Sequence, residues 1–437
     1  MSEQSLEFKM TDVTGKQEIK FLLETDNGSN DTYVNSYELY YIGDVKPLPD
    51  APIPASVGAV STGKYRNLFK ELGYSDAEID KKVESAWQKF FYGTDDERIY
   101  YPVGEDMAYI YTADTDDVRS EGMSYGMMIC VQMDKQEEFD RLWKWAKTYM
   151  YLEEGENAGY FAWSVQLDGT KNSFGAAPDG EEFFAMALFF AAHRWGDGEG
   201  IFNYSREAKE LLHTCIHKGE NGEGGRAMWD ASNHLIRFIT DVDFSDPSYH
   251  LPHFYELFAL WAKEEDRAFF KEAAEASRNY LKRACHPVTG LSAEYAEFDG
   301  TPYQPVLDQW GGRHDWYYSD AYRTIANIAL DYEWFAKDEW ESENVDRFLN
   351  FFCDTVQEKD RDGIFLTDGT ILEGKALHPV AMTAVNAQAA LASDQKNAFL
   401  CVHRFWETPL RTGDRRYYDN CLYFFAYLAL SGNYRIY

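Results

Sequence analysis

From Tyr65 almost to its C-terminus the chain keeps the apolar period of helices, interrupted by loops and without any internal sequence repeat. Ser75-Asp76-Ala77-Glu78 is a capping box, in which hydroxyl and carboxylate each satisfy a backbone N–H that the first helical turn leaves free, and it opens a helix toward Phe91. Phe139, Leu142, Trp143 and Ala146 hold the i, i+3, i+4, i+7 stripe of a helix packed on one side. The same pattern predicts helices over roughly 120–133, 181–195, 205–216, 249–263, 266–284, 319–335, 341–356, 380–392, 395–406 and 415–430, about a dozen in all. The loops between them carry dense Gly, Asp, Trp and Tyr clusters, among them Gly159-Tyr160-Phe161-Ala162-Trp163-Ser164 and Gly311-Gly312-Arg313-His314-Asp315-Trp316. Helices that alternate with such loops at near-regular spacing predict an all-α barrel of helical hairpins rather than a solenoid. Its site is expected where the loops gather.

The first residues follow another rule. Within residues 1–45, Glu18-Ile19-Lys20-Phe21-Leu22 and Tyr33-Val34-Asn35-Ser36-Tyr37-Glu38-Leu39-Tyr40 alternate as strands do, with the turn-rich Asp26-Asn27-Gly28-Ser29-Asn30 between them. This β-rich segment is too short to bury a core alone, and it resembles the closing strands of a β-sandwich carbohydrate-binding module. Residues 46–62 begin with Lys46-Pro47-Leu48-Pro49-Asp50-Ala51-Pro52-Ile53-Pro54 and read as an extended linker. Residues 63–437 are then the barrel.

Charge and cysteine usage exclude several classes of function. A net charge of −32 repels nucleic acid backbones and anionic membranes, so neither is expected as a partner. No apolar stretch has the length of a membrane span. Met1 to Met10 lacks the basic start and apolar run of a signal peptide, so the expectation is a cytoplasmic protein or one trimmed from a longer, exported parent. Cys130, Cys215, Cys285, Cys353, Cys401 and Cys421 show no CxxC spacing and read as buried reduced thiols. The ten histidines contain no HExxH, and no tight ligand cluster is expected among them, so neither a metal nor another cofactor is implied. Phe, Tyr and Trp make up 16% of the chain, and many stand beside Asp, Gly, Ser or Asn, where aromatic faces can stack on sugar rings as well as fill a core.

Three carboxylates stand at expected helix starts among small or aromatic neighbours. Glu121 lies in Ser120-Glu121-Gly122-Met123-Ser124-Tyr125-Gly126-Met127, where burial raises a carboxyl pKa and the helix dipole lowers it. Alone, it reads either as a catalytic acid or as a buried structural glutamate. Asp179, in Pro178-Asp179-Gly180-Glu181-Glu182-Phe183, is otherwise an N-cap. Asp320, in Tyr317-Tyr318-Ser319-Asp320-Ala321-Tyr322-Arg323, is otherwise the partner of Arg323 along its helix. Two such groups are what glycosidic bond hydrolysis requires: one protonated to assist the leaving oxygen, one ionised to activate water or attack directly.

The octapeptide resembles the SEGxSYG signature of glycoside hydrolase family 8, and the likeness spans Tyr65 to Tyr437. Pro178-Asp179-Gly180-Glu181 is similar to that family's central Asp motif, and Tyr318-Ser319-Asp320-Ala321-Tyr322-Arg323 to its base motif; Arg416-Tyr417-Tyr418-Asp419-Asn420 follows near the end. The resemblance implies an (α/α)6 barrel that inverts the anomeric centre.

Within the family the chain looks most like the enzymes that release xylose from reducing ends, through Asp246-Pro247-Ser248-Tyr249-His250-Leu251-Pro252-His253-Phe254-Tyr255-Glu256-Leu257 and Leu377-His378-Pro379-Val380. By that likeness Glu121 is the general acid, Asp320 the general base and Asp179 the carboxylate that holds the distorted sugar. His378 is expected on the reducing-end hydroxyl, with Trp163, Tyr249, Tyr125 and Arg323 as further substrate-binding residues. The expected partner is a β-1,4-xylo-oligosaccharide. The competing readings are an endo-acting family 8 xylanase, glucanase or chitosanase, and a non-catalytic oligosaccharide-binding protein.

Overall fold

Among the described residues, twelve helices of ten residues or more differ in one respect that builds the fold: alternate ones are apolar on one side or on nearly all sides. The computed structural model describes residues 48–304 and 313–437, except Asp50 and Gln357. The β-rich reading of residues 1–45 falls outside them. In chain order the helices are α1 (Asp76–Tyr92), α2 (Ser120–Gln132), α3 (Gln136–Trp145), α4 (Pro178–Trp195), α5 (Tyr204–His217), α6 (Pro252–Trp261), α7 (Arg267–Ala284), α8 (Tyr322–Phe335), α9 (Glu339–Asn350), α10 (Pro379–Gln388), α11 (Lys396–Glu407) and α12 (Arg416–Leu430).

The even-numbered helices form the inner ring. α4 is buried without a break from Pro178 to Ala191, and α12 along its whole length. A helix apolar all round has no face to give to water. Each inner helix packs on the next, and α12 returns to α2, closing the ring. The odd-numbered helices surround it with single apolar stripes, as in α5, where Tyr204, Ala208, Leu211, Leu212 and Cys215 point inward. This is the expected (α/α)6 barrel.

Sequence periodicity located these helices closely, and the capping box is present: Glu78 N–H donates to Ser75 Oγ at 3.3 Å, and Ser75 N–H to Glu78 Oε2 at 2.8 Å. Two starts differ. The helices expected from 249 and 319 begin at Pro252 and Tyr322, each preceded by a 3-10 turn, Pro247–Tyr249 or Ser319–Ala321. Pro252 lacks an N–H and suits a first helical turn, while Ser319 has φ 38°, which no α-helix accommodates. Within the segment expected to be linker, Ala59–Thr62 forms a short helix with Ala59 buried, and a Cβ on Gly58 would stand 2.3 Å from Trp334 O on α8.

Short antiparallel strand pairs lead the chain into three inner helices. Val118–Arg119 pairs with Ser164–Val165 ahead of α2, and Phe244–Ser245 with Ala296–Glu297 ahead of α6. Trp316–Tyr317 pairs with Ile364–Leu366, itself paired with Ile371–Leu372, ahead of α8. They fix the chain where the inner helices start.

Candidate active site

The N-terminal ends of all six inner helices carry the residues that matter. Glu121 is the second residue of α2, and Asp179 the second of α4. Asp246 caps the 3-10 turn before α6 and Tyr249 ends that turn. Asp320 lies in the turn before α8, Arg323 in its first turn, His378 at the N-cap of α10, and Tyr417 and Tyr418 in the first turn of α12. Unpaired N–H groups and helix dipoles at these ends favour negative charge. Two glycines allow the approach: a Cβ on Gly180 would meet Ser120 Cβ at 2.7 Å, and one on Gly122 would meet the Tyr417 ring at 2.7 Å.

Arg323 joins the carboxylates. Its guanidinium is buried, with 4% of the residue exposed. Nη1 donates to Glu121 Oε2 at 2.6 Å and to Asp179 Oδ2 at 3.2 Å, and lies 3.0 Å from the Tyr125 hydroxyl. Nη2 faces Asp320 Oδ1 at 3.4 Å and Asp246 Oδ2 at 3.5 Å. The other oxygen of Glu121 accepts from the Tyr417 hydroxyl at 2.7 Å. Glu121 and Asp320 thus sit on different nitrogens of one guanidinium, Glu121 on Nη1 and Asp320 on Nη2.

One cation among four carboxylates leaves protons in the site. Burial, reinforced by the charge of Glu121, pushes Asp179 up to about 7 although Arg323 opposes the shift. Burial drives Asp246 well above the carboxylate range, against Arg323 and with the charge of Asp320. Glu294, which accepts from Trp316 Nε1 at 2.6 Å and pairs with His314 Nδ1 at 3.1 Å, is pushed by burial to about 7, and the charge of Asp320 adds to it.

The remaining expected residues divide by exposure. Trp163 is 38% exposed; its carbonyl accepts from Ser120 N–H at 3.0 Å, and the Arg119 guanidinium lies 5.5 Å from its ring. Tyr249 is buried with its ring 5.4 Å from the Arg323 guanidinium, and Tyr125 is buried between Phe183 and Phe425. Tyr125 and Arg323, expected on the sugar, have their polar atoms engaged with each other and with the carboxylates. His378 Nδ1 lies 3.1 Å from Asp419 Oδ2, which leaves Nε2 for a ligand.

Asp246, Tyr417, Tyr418, Asp419 and Glu294 were not assigned roles from sequence. Asp246 could have been found by its form, an acidic residue one step before an inner-helix entry; the others act through tertiary contacts, such as the Tyr418 hydroxyl donating to Ser319 O at 2.9 Å. The cysteines are free thiols, five buried and Cys353 half-buried. One expectation is corrected: His213 and His217 do form a tight cluster of potential ligands with Asp266, because an i, i+4 spacing stacks them on one face of α5.

Residues 104–432 match the family described as Glycosyl hydrolases family 8. The chain belongs to glycosyl hydrolase family 8. Among its family 8 relatives is the reducing end xylose-releasing exo-oligoxylanase of Halalkalibacterium halodurans, 58% identical over 87% of this chain and 96% of that one. The reducing-end xylose-releasing exo-oligoxylanase Rex8A of Paenibacillus barcinonensis is also 58% identical, over 87% of this chain and 98% of its own length. The solved structure of Rex8A complexed with xylose superimposes with a TM-score of 0.84 at 57% identity, covering 87% of this chain and 99% of that one. The family 8 match contains each residue that touches Arg323 through a side-chain oxygen.

Proposed function

We propose that this family 8 enzyme removes xylose from the reducing end of β-1,4-xylo-oligosaccharides with inversion. The observation that carries the reading is the placement of Glu121 and Asp320 on different nitrogens of Arg323, in a chain 58% identical to an exo-oligoxylanase.

Glu121, held through both oxygens by Arg323 and Tyr417, gives its proton to the glycosidic oxygen as the bond to the anomeric carbon breaks. Asp320, with its side chain 30% exposed, takes a proton from a water that attacks the opposite face. Asp179 shares Nη1 of Arg323 with Glu121; pushed up to about 7, it is partly protonated near neutral pH and can both donate to and accept from the hydroxyls of a distorted sugar. His378 Nε2 takes the anomeric hydroxyl of the leaving xylose, with Asp419 fixing the ring through Nδ1. Trp163 offers an exposed ring for a sugar farther along.

Incubation with xylotetraose, sampled early by chromatography, tests this reading. Xylose and xylotriose should appear together and in equal amounts. Xylobiose as the main early product indicates endo cleavage, and binding without products indicates a non-catalytic sugar-binding protein.

A further inference from the structure

His213 and His217 lie one turn apart in the last two turns of α5, and both face Asp266, the residue that precedes α7. Asp266 Oδ2 is 2.9 Å from His213 Nδ1, and Oδ1 is 2.8 Å from His217 Nε2. The carboxylate is fully buried, whereas the imidazoles are 37% and 35% exposed, so the open side of the cluster faces water. Glu220 Oε2 stands 2.8 Å from the remaining nitrogen of His217, and neighbouring Glu210 is paired with Lys263 at 2.7 Å.

No Lys or Arg is paired with Asp266 among the described residues. Its side-chain oxygens meet the two imidazoles, while the buried Asp331 has Arg278 at 2.7 Å and the buried Asp419 has Arg411. A buried carboxylate needs compensating positive charge. Here it comes either from protons on the imidazoles or from an ion between the three groups.

The geometry suits a metal. The three donor atoms all lie within 4.8 Å of one another. An ion bound at ~2.0–2.2 Å from two imidazole nitrogens and a carboxylate oxygen needs those donors about 3.3 Å apart, a shift that small side-chain rotations supply. Two imidazoles and one carboxylate select zinc, nickel or copper over calcium or magnesium, which prefer all-oxygen sites.

We propose that His213, His217 and Asp266 bind a divalent first-row transition-metal ion, with water completing the coordination on the exposed side. The ion replaces the protons held between imidazole and carboxylate and ties the end of α5 to the start of α7. None of the three residues contacts Arg323 or the carboxylates gathered on it, so the site clamps two outer helices and takes no part in hydrolysis.

Calorimetric titration of ZnCl2 into the untagged, chelator-stripped full chain at pH 7.5, paired with thermal melts, tests this. One saturable site per chain is expected, with a melting temperature raised by a few degrees at saturating zinc. His213→Gln and His217→Gln should each weaken binding by more than about tenfold and lose the zinc-dependent rise in melting temperature, measured against each variant's own metal-free value, while keeping the hydrolytic rate of the parent. The proposal is overturned by the absence of saturable binding at 100 µM zinc as a chosen ceiling, or by binding that survives in both variants.

Discussion

The Tyr417 hydroxyl donates to Glu121 Oε1 at 2.7 Å, across a glycine, Gly122, that has no room for a Cβ. With Arg323 on the other oxygen, the carboxyl is fixed in direction before any sugar arrives. Tyr417→Phe removes one hydrogen bond and keeps the ring, so kcat should fall roughly tenfold with little change in KM. Gly122→Ala displaces the ring itself and should cost more. Steady-state kinetics on xylotriose measure both.

Asp179 makes the site a stability liability whose sign can be worked out. Its folded pKa is raised to about 7, mainly by burial, whereas an unfolded Asp loses its proton near pH 4. The stability linked to this proton is present below about pH 4 and is lost as pH rises through 7. Asp179→Asn abolishes that loss, so it should raise the melting temperature by roughly 2–5 °C at pH 8 and much less at pH 4, while activity collapses. Thermal melts at the two pH values check it.

His378 is held at the start of α10 by Asp419, which also accepts from Ala381 N–H at 2.7 Å and from Arg411. If its Nε2 marks the end of the cleft, His378→Ala should weaken the preference for the last bond. Early digests of xylotetraose by the variant should then contain xylobiose beside xylose and xylotriose, with overall turnover lowered at least about tenfold.

The barrel was legible because its causes are local. Capping boxes, apolar stripes and the continuous apolar runs of α4 and α12 depend on residues within a few turns, and the helix limits follow from them. The carboxylates at helix starts were legible for the same reason. What the sequence could not show is that Arg323 collects Glu121, 202 residues away, and Asp179, 144 residues away, because closure of the ring creates those contacts. The turns before α6 and α8 were hidden too. Apolar periodicity continues through 3-10 turns, so Tyr249 and Asp320 read as helical when they stand just outside their helices.

The central claim is one-step inversion with Glu121 as acid and Asp320 as base, and proton NMR of xylotriose hydrolysis in its first minutes, ahead of mutarotation, tests it most directly. The account predicts free xylose from the old reducing end and a xylobiose whose new reducing end is first seen as the α-anomer. A xylobiose that first appears as the β-anomer would contradict it.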